Sequence, residues 1–187
     1  GSCFIFAGRR YAHRCIVALE DAGFTFKDMI SWQKSNAPHR AQRLSNIYAR
    51  RNDKSNSDVW RGWRVANLRP LFEPILWFQK PYKTGGTIAD NVLEHGVGAW
   101  NTEAITLQTY SNIIKVETDK YDYGQHSAQK PLRLIELLIE LVTKEYQIVL
   151  DPFAGSGTTC IAATKLNRQY IGFEVNPQIA DIAKERL

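Results

Sequence analysis

Apolar and polar residues change rhythm several times along the chain. Ser2–Ala7 is a short apolar run closed by Gly8, the pattern of a buried strand. Across Arg10–Ala22 the period lengthens: Ala12, Cys15, Ile16, Leu19 and Ala22 share a helical face, and Gly23 stands where such a helix ends. Phe24–Trp32 alternates again. Phe24, Phe26, Ile30 and Trp32 point one way and Thr25, Lys27 and Ser31 the other, as in a half-buried strand. Pro74–Phe78 predicts a further strand. In the last third, Pro131 takes a first helical position, where its missing N–H does no harm, and Leu132, Ile135, Leu138, Ile139 and Val142 form the apolar stripe behind it. Gln147–Leu150 predicts a strand, Thr158–Leu166 a helix, Tyr170–Val175 a strand and Pro177–Leu187 a final helix. Helix–strand–helix–strand–helix at this spacing predicts a parallel, doubly wound α/β sheet.

Two stretches break this regularity. Residues 34–69 are polar and basic, and Pro38 and the run Asn52–Asp58 predict loops. Residues 82–123 are irregular and rich in Gly, Asn and Thr, which predicts an inserted module outside the main sheet.

Composition narrows the classes. With 187 residues there is room for one well-buried core. The formal charge of +5 suits a polyanionic partner such as nucleic acid. Cys3, Cys15 and Cys160 have neither paired nor metal-ligand spacing, which predicts reduced thiols of a cytoplasmic protein. No apolar run reaches membrane-spanning length and no signal peptide is visible. His13, His39 and His95 are scattered without ligand spacing, so no metal is implied.

The segment with chemistry is Asp151-Pro152-Phe153-Ala154-Gly155-Ser156-Gly157-Thr158-Thr159, a predicted strand-to-helix loop. Two glycines let the backbone turn tightly and approach a ligand, and the helix that follows points free N–H groups at the crevice. A phosphate-binding P-loop needs Gly-Lys-Ser/Thr, and no lysine is present. A dinucleotide fingerprint needs Gly or Ala three residues past its second glycine, where this chain has Cys160. Asp151 would repel a pyrophosphate but attract the cationic amino end of S-adenosylmethionine. Glu174 ends the next predicted strand, where a carboxylate can accept hydrogen bonds from ribose hydroxyls.

The loop resembles the Asp-Pro-Phe-x-Gly-x-Gly-Thr-Thr signature of amino-group DNA methyltransferases, which modify adenine N6 or cytosine N4. His126-Ser127-Ala128-Gln129-Lys130-Pro131 resembles their His-Pro-Thr-Gln-Lys-Pro segment, departing from it at Ser127 and Ala128. Asp28-Met29-Ile30-Ser31-Trp32-Gln33-Lys34 and Phe72-Glu73-Pro74-Ile75 resemble two further family strands. The order, with the cofactor loop near the C-terminus, resembles the family's permuted beta arrangement. The resemblance implies a Rossmann-like methyltransferase sheet, with 1–81 and 124–187 in the catalytic domain and 82–123 as a target-recognition insertion. It implies S-adenosyl-L-methionine as cofactor, held by Gln129, Lys130, Pro131, Asp151, Phe153, Gly155, Gly157, Thr158, Thr159, Glu174 and Asn176.

One family feature is absent. The catalytic Asp/Asn/Ser-Pro-Pro-aromatic motif needs adjacent prolines, and none of the seven prolines here are adjacent. In the permuted order that motif lies upstream of Gly1, and the lone Met29 accords with an N-terminally truncated chain. The chain is therefore expected to be inactive alone, with no catalytic residue of its own, and its sheet to lack a central strand that another chain or a second copy supplies. The implied substrate is double-stranded DNA, with adenine N6 preferred over cytosine N4, within a prokaryotic or phage-encoded restriction–modification system. Arg40, Arg43, Arg61 and Arg64, interleaved with Trp60 and Trp63, are candidate DNA contacts. A non-catalytic paralogue that keeps cofactor or DNA binding is the alternative, and a methyltransferase acting on RNA or a small molecule is a third reading.

Overall fold

The computed structural model describes residues 1–37, 41–117 and 129–187. In chain order its elements are β1 (Ser2–Phe6), α1 (Ala12–Asp21), β2 (Thr25–Gln33), α2 (Leu44–Arg50), α3 (Lys54–Val59), β3 (Phe72–Gln79), α4 (Ile88–His95), a 3-10 turn (Glu103–Gln108), β4 (Ile113–Lys115), α5 (Leu132–Val142), β5 (Ile148–Asp151), α6 (Thr158–Lys165), β6 (Gln169–Gly172) and α7 (Pro177–Arg186). They fall into two compact units, one formed by 1–33 with 73–187 and the other by 34–72.

The larger unit contains a four-stranded sheet in the order β1-β3-β2-β4 and a separate pair, β5-β6. β3 organises the first sheet. Ile75 and Trp77 face one side and Leu76 and Phe78 the other, and all four are buried. A strand covered on both faces reads as a continuous apolar run. Over Leu76 and Phe78, α1 lays Ala12, Cys15, Ile16 and Leu19, the stripe its periodicity predicts. Over Ile75 and Trp77, α5 lays Leu134, Leu137, Leu138 and Leu141, with Ile30, Trp32 and Ile114 completing the cluster.

The other flank of α5 is apolar too. Ile135 and Ile139 meet Ala162 and Ala163 of α6, with Val149 of β5 and Phe6 of β1 packed alongside. α5 thus links the two sheets. Pro131 is its N-cap rather than its first helical residue, so the helix begins one residue later than the sequence predicts, and the Pro131 carbonyl accepts from the Leu134 and Ile135 N–H groups.

Three expectations are corrected. β5 and β6 are parallel, but β1 and β3 pair antiparallel in the register Cys3↔Phe78, so the four-stranded sheet is mixed. The reason lies between β2 and β3, where the chain returns as a long hairpin whose base is closed by the Lys34 N–H on the Leu71 carbonyl at 2.8 Å. Next, part of 82–123 joins the main sheet. β4 pairs in parallel with β2 through Trp32↔Ile114, and Ile105 and Ile114 are buried in the core cluster. Burying Ile114 completely is what holds so short a strand. In the same stretch, a reciprocal capping box between Thr87 and Asp90 starts α4, and Gly96, at φ 68°, ends it. The Thr87 hydroxyl and N–H hold the Asp90 carboxyl below the usual carboxylate range.

The third correction concerns the smaller unit, which contains two helices, α3 standing where the run Asn52–Asp58 predicts a loop. Asp53 caps α3 by accepting the Asn56 N–H at 3.0 Å. Arg43 and Arg64 form an antiparallel bridge, flanked by Leu44 N–H to Trp63 O and Val65 N–H to Gln42 O, both at 2.9 Å. Trp60 and Trp63 stack edge-on with centroids 5.6 Å apart.

Leu134 is fully buried where α5 meets the four-stranded sheet. Leu134→Ala is expected to destabilise the fold by about 3 kcal/mol, read as a lower urea midpoint.

Candidate functional site

The predicted loop sits where its sequence places it. β5 ends at Asp151, the chain turns through 152–157, and α6 starts at Thr158. Gly157 is the N-cap of α6 at φ 82°, and a Cβ there would stand 3.0 Å from the Ala183 Cβ of α7. The position therefore demands glycine on two independent grounds, handedness and space. Gly155 also has a positive φ, 55°.

The loop is tied to the end of β6. The Ala154 N–H donates to the Phe173 carbonyl at 2.8 Å and the Phe173 N–H to the Asp151 carbonyl at 2.9 Å. Glu174 then reaches across. Its Oε2 accepts the Gly155 N–H at 3.0 Å and its Oε1 accepts the Asn176 N–H at 2.9 Å. Both oxygens are fixed in direction, and each retains a lone pair for a ligand. Asp151 Oδ1 accepts the Phe153 N–H at 3.0 Å, leaving Oδ2 available. Asn176 caps α7 by accepting the Gln178 N–H.

Gln129 joins this group: its Oε1 accepts the hydroxyl of Ser156, a side chain buried in the loop. Lys130 and Pro131 do not point at the loop. The Lys130 ammonium lies 3.1 Å from Glu73 Oε1 and 5.1 Å from the Phe6 ring centroid, and Pro131 is buried, so both seat the start of α5 against the first sheet. Thr158 is buried and Thr159 half-buried in the first turn of α6. Phe153 is 88% exposed, an open ring on the loop.

Arg186 is a member that the sequence does not reveal. From the end of α7 its guanidinium donates to the Ser156 carbonyl at 2.5 Å and to its hydroxyl at 2.9 Å. No local pattern marks it, because the contact spans 30 residues. Cys160 is structural. Burial, and secondarily the Asp151 charge, push its thiol up, and its Sγ occupies space beside Gly172 where a Cβ would come within 2.8 Å.

Of the candidate arginines, Arg43 and Arg64 share a pocket on the smaller unit, while Arg61 pairs with Asp58 at 2.8 Å. Arg40 and His126 lie outside the described residues.

A sequence model of the DNA methylase family matches residues 1–185. The chain belongs to that family. Among its DNA methylase relatives is the Type II methyltransferase M.HindIII of Haemophilus influenzae, 62% identical over 193 aligned positions that take in 100% of this chain and 62% of the relative. The Type II methyltransferase M2.LlaDCHI of Lactococcus lactis subsp. cremoris is 29% identical over 91% of this chain and 54% of its own length. The chain thus spans less than two thirds of either relative. Among solved structures, the M1.HpyAVI–SAM complex matches with a TM-score of 0.63 and 28% identity, covering 100% of this chain and 74% of that one. The PvuII cytosine-N4-specific DNA methyltransferase, at 15% identity and a TM-score of 0.68 over 100% of this chain and 62% of that one, agrees in fold.

Gly157→Ala is expected to cost about 2 kcal/mol or more, from an unfavourable left-handed backbone and the crowding at Ala183. A thermal melt checks the loss of stability.

Proposed function

We propose that the loop between β5 and α6 binds S-adenosyl-L-methionine and that the chain is part of a Type II restriction–modification enzyme methylating an exocyclic amino group in double-stranded DNA. The observation that carries this reading is the Glu174 carboxylate, held at both oxygens by backbone N–H groups and facing the same loop as Asp151. A fixed acceptor pair suits a ribose diol, and the second acid suits the ligand's ammonium group. Gly155 and Gly157 let the backbone approach the ligand, Phe153 offers an aromatic face, and the first turn of α6 with Thr158 and Thr159 closes the crevice. The cofactor supplies an activated methyl group on sulfur. This chain's residues bind and orient it. The M1.HpyAVI complex and the M.HindIII likeness support the assignment.

Target recognition falls to residues 82–123, where Tyr82, Lys83, Glu94 and His95 border a polar pocket of about 330 Å³ at α4. The catalytic domain is then 1–81 with 124–187 together with β4, which pairs with β2 in the main sheet, and the enzyme works in the cytoplasm of a prokaryote. Completion of the sheet by another segment or a second copy is supported by the state of β5 and β6. Ile148 and Leu150 are 59% and 60% exposed, Ile171 is 46% exposed, and these strands pair only with each other among the described residues. Such apolar exposure beside open strand edges invites a partner.

Titration calorimetry with S-adenosylmethionine tests the site. Asp151→Asn and Glu174→Gln are each expected to weaken binding about 10- to 100-fold, the scale of one charge-assisted hydrogen bond. Unchanged affinity in both would remove the assignment. With labelled cofactor and duplex DNA, the chain by itself is expected to transfer no methyl group, and appreciable transfer would overturn the need for a completing segment.

A further inference from the structure

The charge of this chain is not evenly spread. Residues 34–72 hold nine Lys or Arg against two Asp, a net +7, while the whole chain is +5, which leaves the remainder at −2. All of the net positive charge therefore belongs to the smaller unit. Within that unit Arg43, Arg50 and Arg64 line, with Asn46 and Gln42, one pocket of about 340 Å³, and no carboxylate is among the described residues that line it. The Arg43–Arg64 bridge fixes two of the three backbones, and Arg64 is further anchored by donating to the Ala41 carbonyl at 3.0 Å. The acids of the unit are engaged elsewhere. Asp53 caps α3, and Asp58 pairs with Arg61. Arg43 and Arg50 make no ion pair with any described carboxylate.

Three arginines lining one pocket concentrate positive charge there, and such a site gains from an anion that accepts several N–H bonds at once. We propose that this pocket is a phosphate site that seats a single phosphodiester of the DNA backbone, with no preference for base sequence. The site rests on the reading of the chain as part of a DNA-modifying enzyme and adds to it a defined anchoring point. Arg50, on the last turn of α2, joins Arg43 and Arg64 there. Because the three arginines share one phosphate, their contributions to counterion release do not add.

The test uses the full chain and duplexes of unrelated sequence, with binding measured from about 50 to 200 mM salt. R50Q and R43Q remove side chains without an internal partner, so their thermal midpoints should stay at that of the parent. Each is expected to weaken binding several-fold on every duplex and to flatten the log–log salt dependence. The double variant should lose about 0.9 of slope in total, the release expected for one phosphate. A double loss near twice that value, or an equal loss in R14Q (which removes a charge from α1), would mean diffuse attraction and overturn the site. So would inorganic phosphate binding at Arg50 in a chain whose duplex affinity R50Q leaves untouched, which would reassign the pocket to a free anion. No duplex binding with cofactor binding intact would reject the pocket alone. Duplex binding without cofactor binding would reject the cofactor assignment and leave the pocket standing.

Discussion

Everything in the larger unit hangs on one helix having two greasy sides. Among the described residues the β5-β6 pair shares no strand hydrogen bond with the four-stranded sheet, so backbone pairing does not hold the two together. α5 does so instead, with leucines toward β2 and β3 and isoleucines toward α6 and β5. Hydrophobic burial is non-directional, which allows a single helix to serve both surfaces. Polar bonds then trim the angle. Arg168, just before β6, donates to the carbonyl and hydroxyl of Thr143 at the end of α5, at 2.7 and 3.1 Å. The Lys130–Glu73 ion pair fixes the opposite end.

The position of the cofactor loop follows from this. α6 is seated on α5 through Ala162 and Ala163, small residues that permit close approach, and the loop is whatever backbone must connect β5 to a helix so placed. Glu174 and Arg186 brace it from two sides. A loop braced by the protein's own contacts loses little conformational freedom on binding, which favours affinity without further contacts.

How much of this could be read from the chain follows from the range of each interaction. Asp151 to Thr159 carries its own geometry, because strand end, glycine turn and helix start are neighbours in sequence. Glu174 was legible because one strand-to-strand step separates it from the loop. Arg186 was not, since its contact depends on how α7 folds back. The two helices of 34–72 have seven and six residues, too few to display a period, although Asp53 followed three residues on by Asn56 was a usable capping cue. Thr87, Asp90 and Gly96 likewise bracket α4 with start and stop signals that the general irregularity of 82–123 masks. β4 has three residues, and its membership of the sheet is decided by the burial of Ile114, a tertiary fact.

The hydrogen bond from Lys34 to Leu71 has an evolutionary consequence. It brings the two ends of a 39-residue excursion together at a single rung, so the excursion enters and leaves the sheet at one place. Chain inserted between adjacent ends alters no strand register on either side, and its closure entropy grows only slowly with length. A hairpin tip of this sort can be lengthened, trimmed or replaced wholesale by recombination while the parent sheet keeps its shape. That makes it a natural graft point at which relatives with one scaffold could diverge in their grip on a ligand.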